Sequence, residues 1–256
     1  MAKAESSSII ELVNVHKSFN GQKVLDGLNL RIEAGQITVI IGQSGGGKSV
    51  LLKHTIGLIK PDQGEVLIEG VDISRLNDRQ LNDVRKNFGM LFQGAALFDS
   101  MTVGENVAFP LREHTRLKQH EIQEIVERKL RQVGLKDVAH KMPSELSGGM
   151  QKRVGLARAL ALDPKIILFD EPTTGLDPIT ADAIDRLIVD TQKHTNATCL
   201  VISHDIESTF KIAHTIAMLY HGKIVEIGTP DAIKSSKNLT LQQFIQGKAE
   251  GPIQVV

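Results

Sequence analysis

A glycine-rich octapeptide constrains this chain more than any other stretch of its sequence. It reads Gly42-Gln43-Ser44-Gly45-Gly46-Gly47-Lys48-Ser49 and fits the phosphate-loop pattern G-x-x-x-x-G-K-[ST]. The β-branched run Ile37–Ile41 before it is typical of a buried strand, and the residues from Val50 onward indicate a helix. Glycines leave room for backbone N–H groups to face an anion, and a helix start adds its positive dipole end. Strand, loop and helix together predict a nucleotide phosphate site.

The last two residues of the octapeptide have the most specific chemistry. Lys48 is expected to reach the β- and γ-phosphates of the nucleotide, and the Ser49 hydroxyl is expected to bind Mg²⁺. The alternative is a glycine-rich turn with a solvated lysine. The flanking strand and helix argue against that alternative, because they are the context in which this motif binds phosphate.

Composition limits the class of protein. The chain has 256 residues, which suits one large domain or two small ones. Its 30 basic and 30 acidic residues cancel, so bulk charge does not favour a nucleic-acid binder. The single cysteine, Cys199, cannot form an internal disulfide and is expected to be a buried residue in a reducing compartment. No apolar run approaches the roughly 20 residues that span a bilayer, so we expect any membrane role to come through a partner.

The apolar pattern predicts the order of the structural segments. Residues 1–8 are predicted to be disordered, residues 9–246 to form one α/β domain, and residues 247–256 to form a tail. Asn20-Gly21 and His221-Gly222 are typical of hairpin turns between short strands. Apolar residues recur at helical spacing between residues 102 and 142, which predicts a helical subdomain at about residues 95–160.

Polar side chains follow three further apolar runs that predict buried strands. Gln93 follows the first, Asp170 and Glu171 the second, and His204 the third. Because ligands bind at the carboxyl ends of parallel strands, these residues are candidates for contact with the nucleotide. Asp170 is expected to hold Mg²⁺ opposite Ser49, and Glu171 to accept a proton from the attacking water. His204 is interpreted as a γ-phosphate contact, although a lone histidine is more often a structural hydrogen bonder.

A second glycine pair introduces another helix. Leu146-Ser147-Gly148-Gly149-Met150 precedes a long helical pattern, and Ser147 is a good N-cap. Gly148 and Gly149 would let an anion approach the helix start. A capped helix start without any ligand explains the motif equally well when it is considered alone.

With these motifs in this order, residues 9–244 resemble the ATPase subunits of ABC transporters. The resemblance implies a P-loop NTPase of the ABC ATPase fold: an α/β structure with a parallel core sheet, an antiparallel β subdomain and a helical subdomain. It also implies a head-to-tail homodimer that hydrolyses Mg²⁺-ATP. Each ATP would lie between the phosphate loop of one chain and Ser147, Gly148 and Gly149 of the other.

The same resemblance assigns individual roles. Phe19 would stack on adenine, a role that composition alone does not favour over a core position. Gln93 would contact Mg²⁺ and the reacting phosphate, Glu171 would be the base, and His204 the switch histidine. Asp177 would link the two sites of the dimer. Val50, also expected near the nucleotide, replaces the usual threonine and would lose one hydrogen bond, about 0.5–1.5 kcal/mol.

Finer matches lie in residues 92–111 and in the segments after Glu171 and Ser203, which resemble the Mla-type (maintenance of lipid asymmetry) phospholipid transporter ATPases. That resemblance implies transport that maintains outer-membrane lipid asymmetry. It implies a permease dimer, an MCE lipid-binding protein and a STAS-domain protein as partners, on the cytoplasmic side of the inner membrane, with no nucleic acid. The ATPase of a small-polar-solute importer is the alternative, because the core motifs are shared. DNA-repair and translation relatives fit less well, because the chain lacks room for a coiled-coil insertion and has one motif set.

Two surfaces are predicted to meet other chains. The segment at residues 95–110, with the apolar residues Leu97, Phe98 and Met101, is predicted to line a groove for a permease helix. Leu241, Phe244 and Ile245 are predicted to pack on a partner chain and to support dimerisation, although a helix docked on its own domain explains these residues equally simply.

Overall fold

The computed structural model describes residues 8–254; residues 1–7 and 255–256 lie outside the described part. The strands are β1 (Ser8–Phe19), β2 (Gln22–Glu33), β3 (Ile37–Ile41), β4 (Gln63–Ile68), β5 (Val71–Asp72), β6 (Phe88–Leu91), β7 (Ile166–Asp170), β8 (Thr198–Ile202), β9 (Thr215–Tyr220) and β10 (Lys223–Gly228). The helices are α1 (Lys48–Thr55), α2 (Asp78–Arg85), α3 (Val103–His114), α4 (Gln119–Gln132), α5 (Gly148–Ala159), α6 (Pro178–Thr195), α7 (Ile206–Ile212), α8 (Pro230–Ser235) and α9 (Leu239–Gln246).

The chain forms two compact units. Of the described residues, the first unit contains 8–81 and 200–254, and the second contains Asn82–Cys199. The predicted disorder of residues 1–8 falls outside the described residues except at Ser8. For Ser8 the prediction is wrong, because this residue begins β1 and is paired with Glu33 of β2.

An antiparallel sheet in the first unit has the strand order β2-β1-β4-β5. Strands β1 and β2 are joined at Asn20 and Gly21, whose φ angles are 49° and 80°. Two consecutive left-handed residues form the tight turn that matches the twist of antiparallel strands. The hairpin predicted from Asn20-Gly21 is therefore confirmed.

Parallel pairing in the first unit places the phosphate loop. Strand β3 runs parallel to β9, which pairs with β10 in an antiparallel hairpin. All five residues of β3 are buried, as expected for a strand covered on both faces. The Ser203 N–H, just after β8, donates to the carbonyl oxygen of Ile40 at 3.2 Å. The loop at Gly42 and the turn at His204 thus follow the same end of these strands.

The second unit combines a parallel strand pair with four complete helices. Strands β6 and β7 are parallel neighbours, and α3 begins with a capping box between Thr102 and Glu105. Helix α6, with 18 residues, was not predicted; Asp177 as N-cap and Pro178 at the first turn are the sequence signals for its start. Within the described residues, no helix is both long and apolar enough to cross a membrane.

The C-terminal segment packs on its own unit. Leu241 is fully buried within this chain, so the prediction that it packs on a partner chain is wrong. The Gln243 side chain accepts from the Ile253 N–H at 2.7 Å and donates to the Ile253 carbonyl at 2.9 Å. Helix α9 thus buries Leu241 and Gln243 against its own unit, and Phe244 and Ile245 are half-buried.

Candidate nucleotide-binding site

The phosphate loop connects the end of β3 to the start of α1. Lys48, the first residue of α1, is buried, and its Nζ donates to the carbonyl oxygens of Gly42 at 2.7 Å and Gln43 at 2.8 Å. The ammonium group is therefore held by the backbone of its own loop. The predicted strand, loop and helix around the octapeptide are confirmed.

Glycine is required at both ends of this loop. Gly42 has a φ of 150°, and a Cβ there would lie 2.3 Å from the carbonyl oxygen of Leu219. Gly47 has a φ of 97°, and its Cβ would meet the carbonyl oxygen of Val24 at 3.1 Å. Among the described residues, no side chain caps α1 at Gly47. A cradle of backbone N–H groups beside a lysine ammonium fits a nucleotide phosphate.

Two other predicted residues of the first unit are exposed. Phe19 ends β1 with 43% of its surface accessible, and the Lys17 Nζ lies 5.5 Å from its ring centroid. His204 occupies the turn after β8. In this turn the Asp205 N–H donates to the Ser203 Oγ at 3.0 Å, and Asp205 caps α7 by accepting from the Ser208 N–H. The residues immediately before and after His204 are therefore held by hydrogen bonds.

Gln93 and Glu171 are in direct contact in the second unit. The Gln93 Nε2 donates to the Glu171 Oε2 at 3.1 Å, and the Thr174 hydroxyl donates to the same oxygen at 3.0 Å. Strand register explains the contact, since Leu91 pairs with Phe169 and each polar residue lies two positions later. Sequence reasoning selected both residues of this pair but missed Thr174.

The backbone at Glu171 is unusual. Its φ is 48°, in the left-handed region that residues with a Cβ seldom adopt. Such conformations persist where surrounding contacts hold them, and they cluster at functional sites. Asp170, the residue before it, ends β7 and is half-buried.

Lys152 is a buried charge that the sequence motifs did not identify. It lies on α5, donates to the carbonyl oxygen of Gln93, and its Nζ lies 3.4 Å from the carbonyl oxygen of Glu171. Burial lowers the pKa of its ammonium group, and the nearby charges of Glu171 and Asp170 act in the opposite direction. On sequence alone, a lysine on a helix is most simply a solvated side chain.

The glycine pair begins α5 as predicted. The Ser147 Oγ accepts from the Met150 N–H at 3.3 Å, and Ser147 and Gly148 are exposed. A Cβ on Gly149 would lie 2.5 Å from the Cγ2 of Thr180, so this glycine permits close packing of α5 on α6.

Asp177 caps α6. Its carboxylate accepts from the Thr180 hydroxyl at 2.6 Å and from the N–H groups of Thr180 and Ile179. These hydrogen bonds lower the pKa of the Asp177 carboxyl group, and the bond from the Thr180 hydroxyl has the largest effect. The residue therefore has a structural role in addition to the dimer contact predicted for it.

The predicted Mg²⁺ ligands are Ser49, Gln93 and Asp170, and their role stays a prediction. Ser49 and Gln93 are exposed, and Asp170 is half-buried. Among the described residues, no group of three or more His, Cys, Asp or Glu side chains is arranged to hold a metal ion. The hydroxyl, amide and carboxylate oxygens of the three predicted residues are of the ligand type that Mg²⁺ takes, and the phosphates of a nucleotide would supply further oxygens.

Comparison with known families agrees with this geometry. A family model described as "ABC transporter" matches residues 25–174. The chain is 45% identical to the "Intermembrane phospholipid transport system ATP-binding protein MlaF" of Haemophilus influenzae, over 97% of this chain and 94% of that protein. It is 43% identical to the "Probable ribonucleotide transport ATP-binding protein mkl" of Mycobacterium tuberculosis, over 95% of this chain and 68% of that protein.

A solved structure has the same fold. It is a dimeric ATP-binding cassette in a post-hydrolysis state bound to ADP and Pi, 33% identical in sequence with a TM-score of 0.79. The similarity covers 86% of this chain and 98% of that one.

Proposed function

Because this chain belongs to the ABC transporter family as one of its ATP-hydrolysing subunits, we propose that it powers phospholipid movement through a membrane permease. The observation that carries the proposal is similarity over nearly the whole chain to a relative named for phospholipid transport. It extends beyond the shared ATP-binding motifs. Transport that maintains outer-membrane lipid asymmetry is the process we infer.

A polar solute is the second candidate cargo. The relative named for ribonucleotide transport is 43% identical, close to the 45% of the relative named for phospholipid transport. The phosphate loop does not distinguish between the two cargos, because it would bind the ATP that drives the transport of either one.

We infer the following roles in ATP hydrolysis. The loop from Gly42 binds the phosphates through its N–H groups, and Lys48 neutralises charge on the β- and γ-phosphates. Ser49, Gln93 and Asp170 would hold Mg²⁺, which would supply charge neutralisation at the transferred phosphate.

Glu171 is proposed as the general base for the attacking water. Its carboxylate already accepts two hydrogen bonds, from Gln93 and Thr174, which support a fixed orientation. His204 contacts the γ-phosphate, and Phe19 stacks on adenine through its exposed ring. Val50 adjoins the nucleotide without the hydroxyl that the family usually has there.

The active form is proposed to be a homodimer in which each ATP is shared by two chains. The phosphate loop of one chain meets Ser147, Gly148 and Gly149 of its partner, and Asp177 lies at the contact. Support comes from the two unlike glycine-containing helix starts in one sequence, each of a kind that can bind an anion, and from the dimeric relative bound to ADP and Pi.

The permease is proposed to bind a groove of about 420 Å³ in the second unit. Its lining combines apolar and basic side chains, a combination that suits an amphipathic helix with acidic residues. Arg158 fixes one wall, since its guanidinium donates to the carbonyls of Ala95 at 2.8 Å and Ala96 at 2.7 Å. Of the predicted Leu97, Phe98 and Met101, only Phe98 is among the lining residues. The larger apolar side chains of the lining are Phe88, Met90, Phe92, Phe98, Phe109, Pro110 and Leu162, and the basic ones are Arg85, Lys86, His114 and Arg158.

Through that permease the subunit would sit peripherally on the cytoplasmic side of the inner membrane. An MCE lipid-binding protein and a small STAS-domain protein complete the proposed assembly. These partners are inferred from the Mla-type resemblance.

The test is lipid transfer by the purified complex in liposomes. Donor liposomes contain the permease complex and a fluorescent phospholipid, and acceptor liposomes contain the MCE protein. We expect the fluorescence of the donor liposomes to change when ATP is added, because the labelled phospholipid is transferred. The complex that contains the Glu171→Gln variant should show no such change. A parallel assay measures uptake of radiolabelled ribonucleotides. ATP-dependent ribonucleotide uptake without phospholipid transfer would replace the first proposal by the second.

A further inference from the structure

Lys152 lies on the second turn of α5, five residues after Ser147, and only 5% of its surface is accessible. Its ammonium group contacts two backbone carbonyls, those of Gln93 and Glu171. Both carbonyls follow adjacent parallel strands, beyond the paired residues Leu91 and Phe169. Lys152 thus joins two chain segments at the point where the hydrogen bonding between their strands ends.

We propose that Lys152 is a positioning residue for ATP hydrolysis. Its ammonium group holds the backbones of Gln93 and Glu171 together and ties both to the helix that begins at Ser147. This inference rests on the roles proposed above for Gln93 and Glu171.

The chemistry of the site favours a cation there. An ammonium group has three donors and can bond two carbonyls at once, which no apolar side chain can do. Burying it is costly unless those donors find acceptors, so a methionine of similar length would fill the space more cheaply. Here the acceptors are the carbonyls of the two residues whose side chains meet at 3.1 Å. The buried ammonium group is thus positioned to orient the backbone of the proposed base.

Helix α5, which carries Lys152, also packs closely against β6, the strand that precedes Gln93. A Cβ on Gly155 would lie 2.8 Å from the Leu91 Cδ1, and a Cβ on Gly89 would lie 2.3 Å from the Ala159 carbonyl oxygen. The helix therefore approaches the strand closely at two places. A shift of α5 when a phosphate binds at Ser147 would move Lys152 and the Gln93 carbonyl together. The position of Glu171 would then depend on occupancy of the helix start.

The experiment compares Lys152→Met with Lys129→Met in the purified full-length chain. Lys129, on α4, is the matched control, because it is also a buried lysine with a bonded ammonium group. It is 3% exposed, and its Nζ lies 2.5 Å from the Asp163 Oδ1. We expect Lys152→Met to lower kcat by about 10- to 100-fold with KM for ATP within about 2-fold, the effect of a misplaced catalytic group. Lys129→Met should lower the melting temperature and leave kcat within about 2-fold. Lys152→Arg keeps the cation and should recover most of the lost kcat.

Glu171→Gln, alone and combined with Lys152→Met, separates the possible failures. If Lys152 acts through Glu171, single-turnover hydrolysis by the double variant should be no slower than by Glu171→Gln. If Glu171→Gln keeps wild-type turnover, the proposed role of Glu171 fails and this inference falls with it. If Glu171→Gln is inactive while Lys152→Met keeps wild-type kcat, only the inference about Lys152 is overturned. Should Lys152→Met fail to fold by circular dichroism, Lys152→Gln takes its place with the same expected loss.

Discussion

The side-chain amide of Gln93 donates a hydrogen bond to the carboxylate of Glu171 at 3.1 Å, although the two residues are 78 positions apart in the chain. The Thr174 hydroxyl donates to the same oxygen. A carboxylate that accepts two hydrogen bonds has a defined orientation before any substrate arrives. This is the arrangement expected of a group that must meet a water molecule in one direction.

Glu171→Gln should reduce ATP turnover by roughly 10²-fold or more, because an amide cannot accept the proton of the attacking water. Nucleotide binding should persist, since the phosphate loop is untouched, and ATP should hold the variant as a closed dimer. Phosphate release and light scattering with ATP measure the two effects. Glu124→Gln, an exposed glutamate on α4, is the control and should behave as wild type. A Glu171→Gln chain that hydrolyses ATP normally would remove this residue from the mechanism.

Mixed dimers should show that two chains share each site. Lys48→Ala disables the phosphate loop of one chain, and Ser147→Arg disables the helix start of the other. In a mixed dimer both lesions fall on one site and leave the other intact. Every chain in this experiment also carries Glu171→Gln, so that bound ATP is not hydrolysed. We expect one retained ATP per purified mixed dimer, and none in dimers made of only one of the two variants.

The control for the mixed dimers replaces Ser147→Arg with Ser144→Arg, an exposed serine outside the helix start. That chain alone should retain ATP at both sites of its dimer. ATP retained by dimers of the Ser147→Arg parent alone would contradict a shared site, because an unshared phosphate loop would be intact in that chain.

Phe98→Glu should release the chain from the permease while ATP binding is kept. The Phe98 ring is 41% exposed in the groove, and its centroid lies 4.9 Å from that of Phe109. A buried carboxylate in an apolar contact is strongly unfavourable, so co-purification from membranes should fall. Leu117→Glu, 36% exposed on the same unit and outside the groove lining, is the matched control. Undiminished co-purification of Phe98→Glu would exclude the groove as the docking surface.

Cys199 should resist thiol reagents in the folded protein. Burial raises the pKa of its thiol from 9.0 to about 12, because the charged thiolate is poorly solvated. At pH 8 roughly one thiol in 10⁴ is then ionised, and the thiolate is the reactive species. Ellman's reagent should give almost no colour with native protein and one equivalent in guanidinium chloride. A full equivalent released rapidly from native protein would show that the thiol is accessible.

Local patterns in the sequence predicted much of this structure. The octapeptide at Gly42, the hairpin at Asn20 and the N-cap at Ser147 each depend on neighbours within a few residues. The order of these motifs was enough to recognise the family. Helix α6 was missed even though Asp177 and Pro178 are local signals for its start. The expected disorder at Ser8 was wrong, because pairing with a distant strand orders that residue.

Contacts between distant residues were decided only by tertiary structure. Sequence reasoning assigned Gln93 and Glu171 to strand ends, but their hydrogen bond depends on the register of β6 against β7. Lys152 is a surface-type residue by pattern, yet α5 lies so close to β6 that its ammonium group is buried against two carbonyls. Leu241 likewise faces its own unit because of how α9 docks. The physical reason is the same in each case. Local motifs depend on backbone conformation over a few residues, whereas burial and long-range hydrogen bonds depend on how separate elements approach one another.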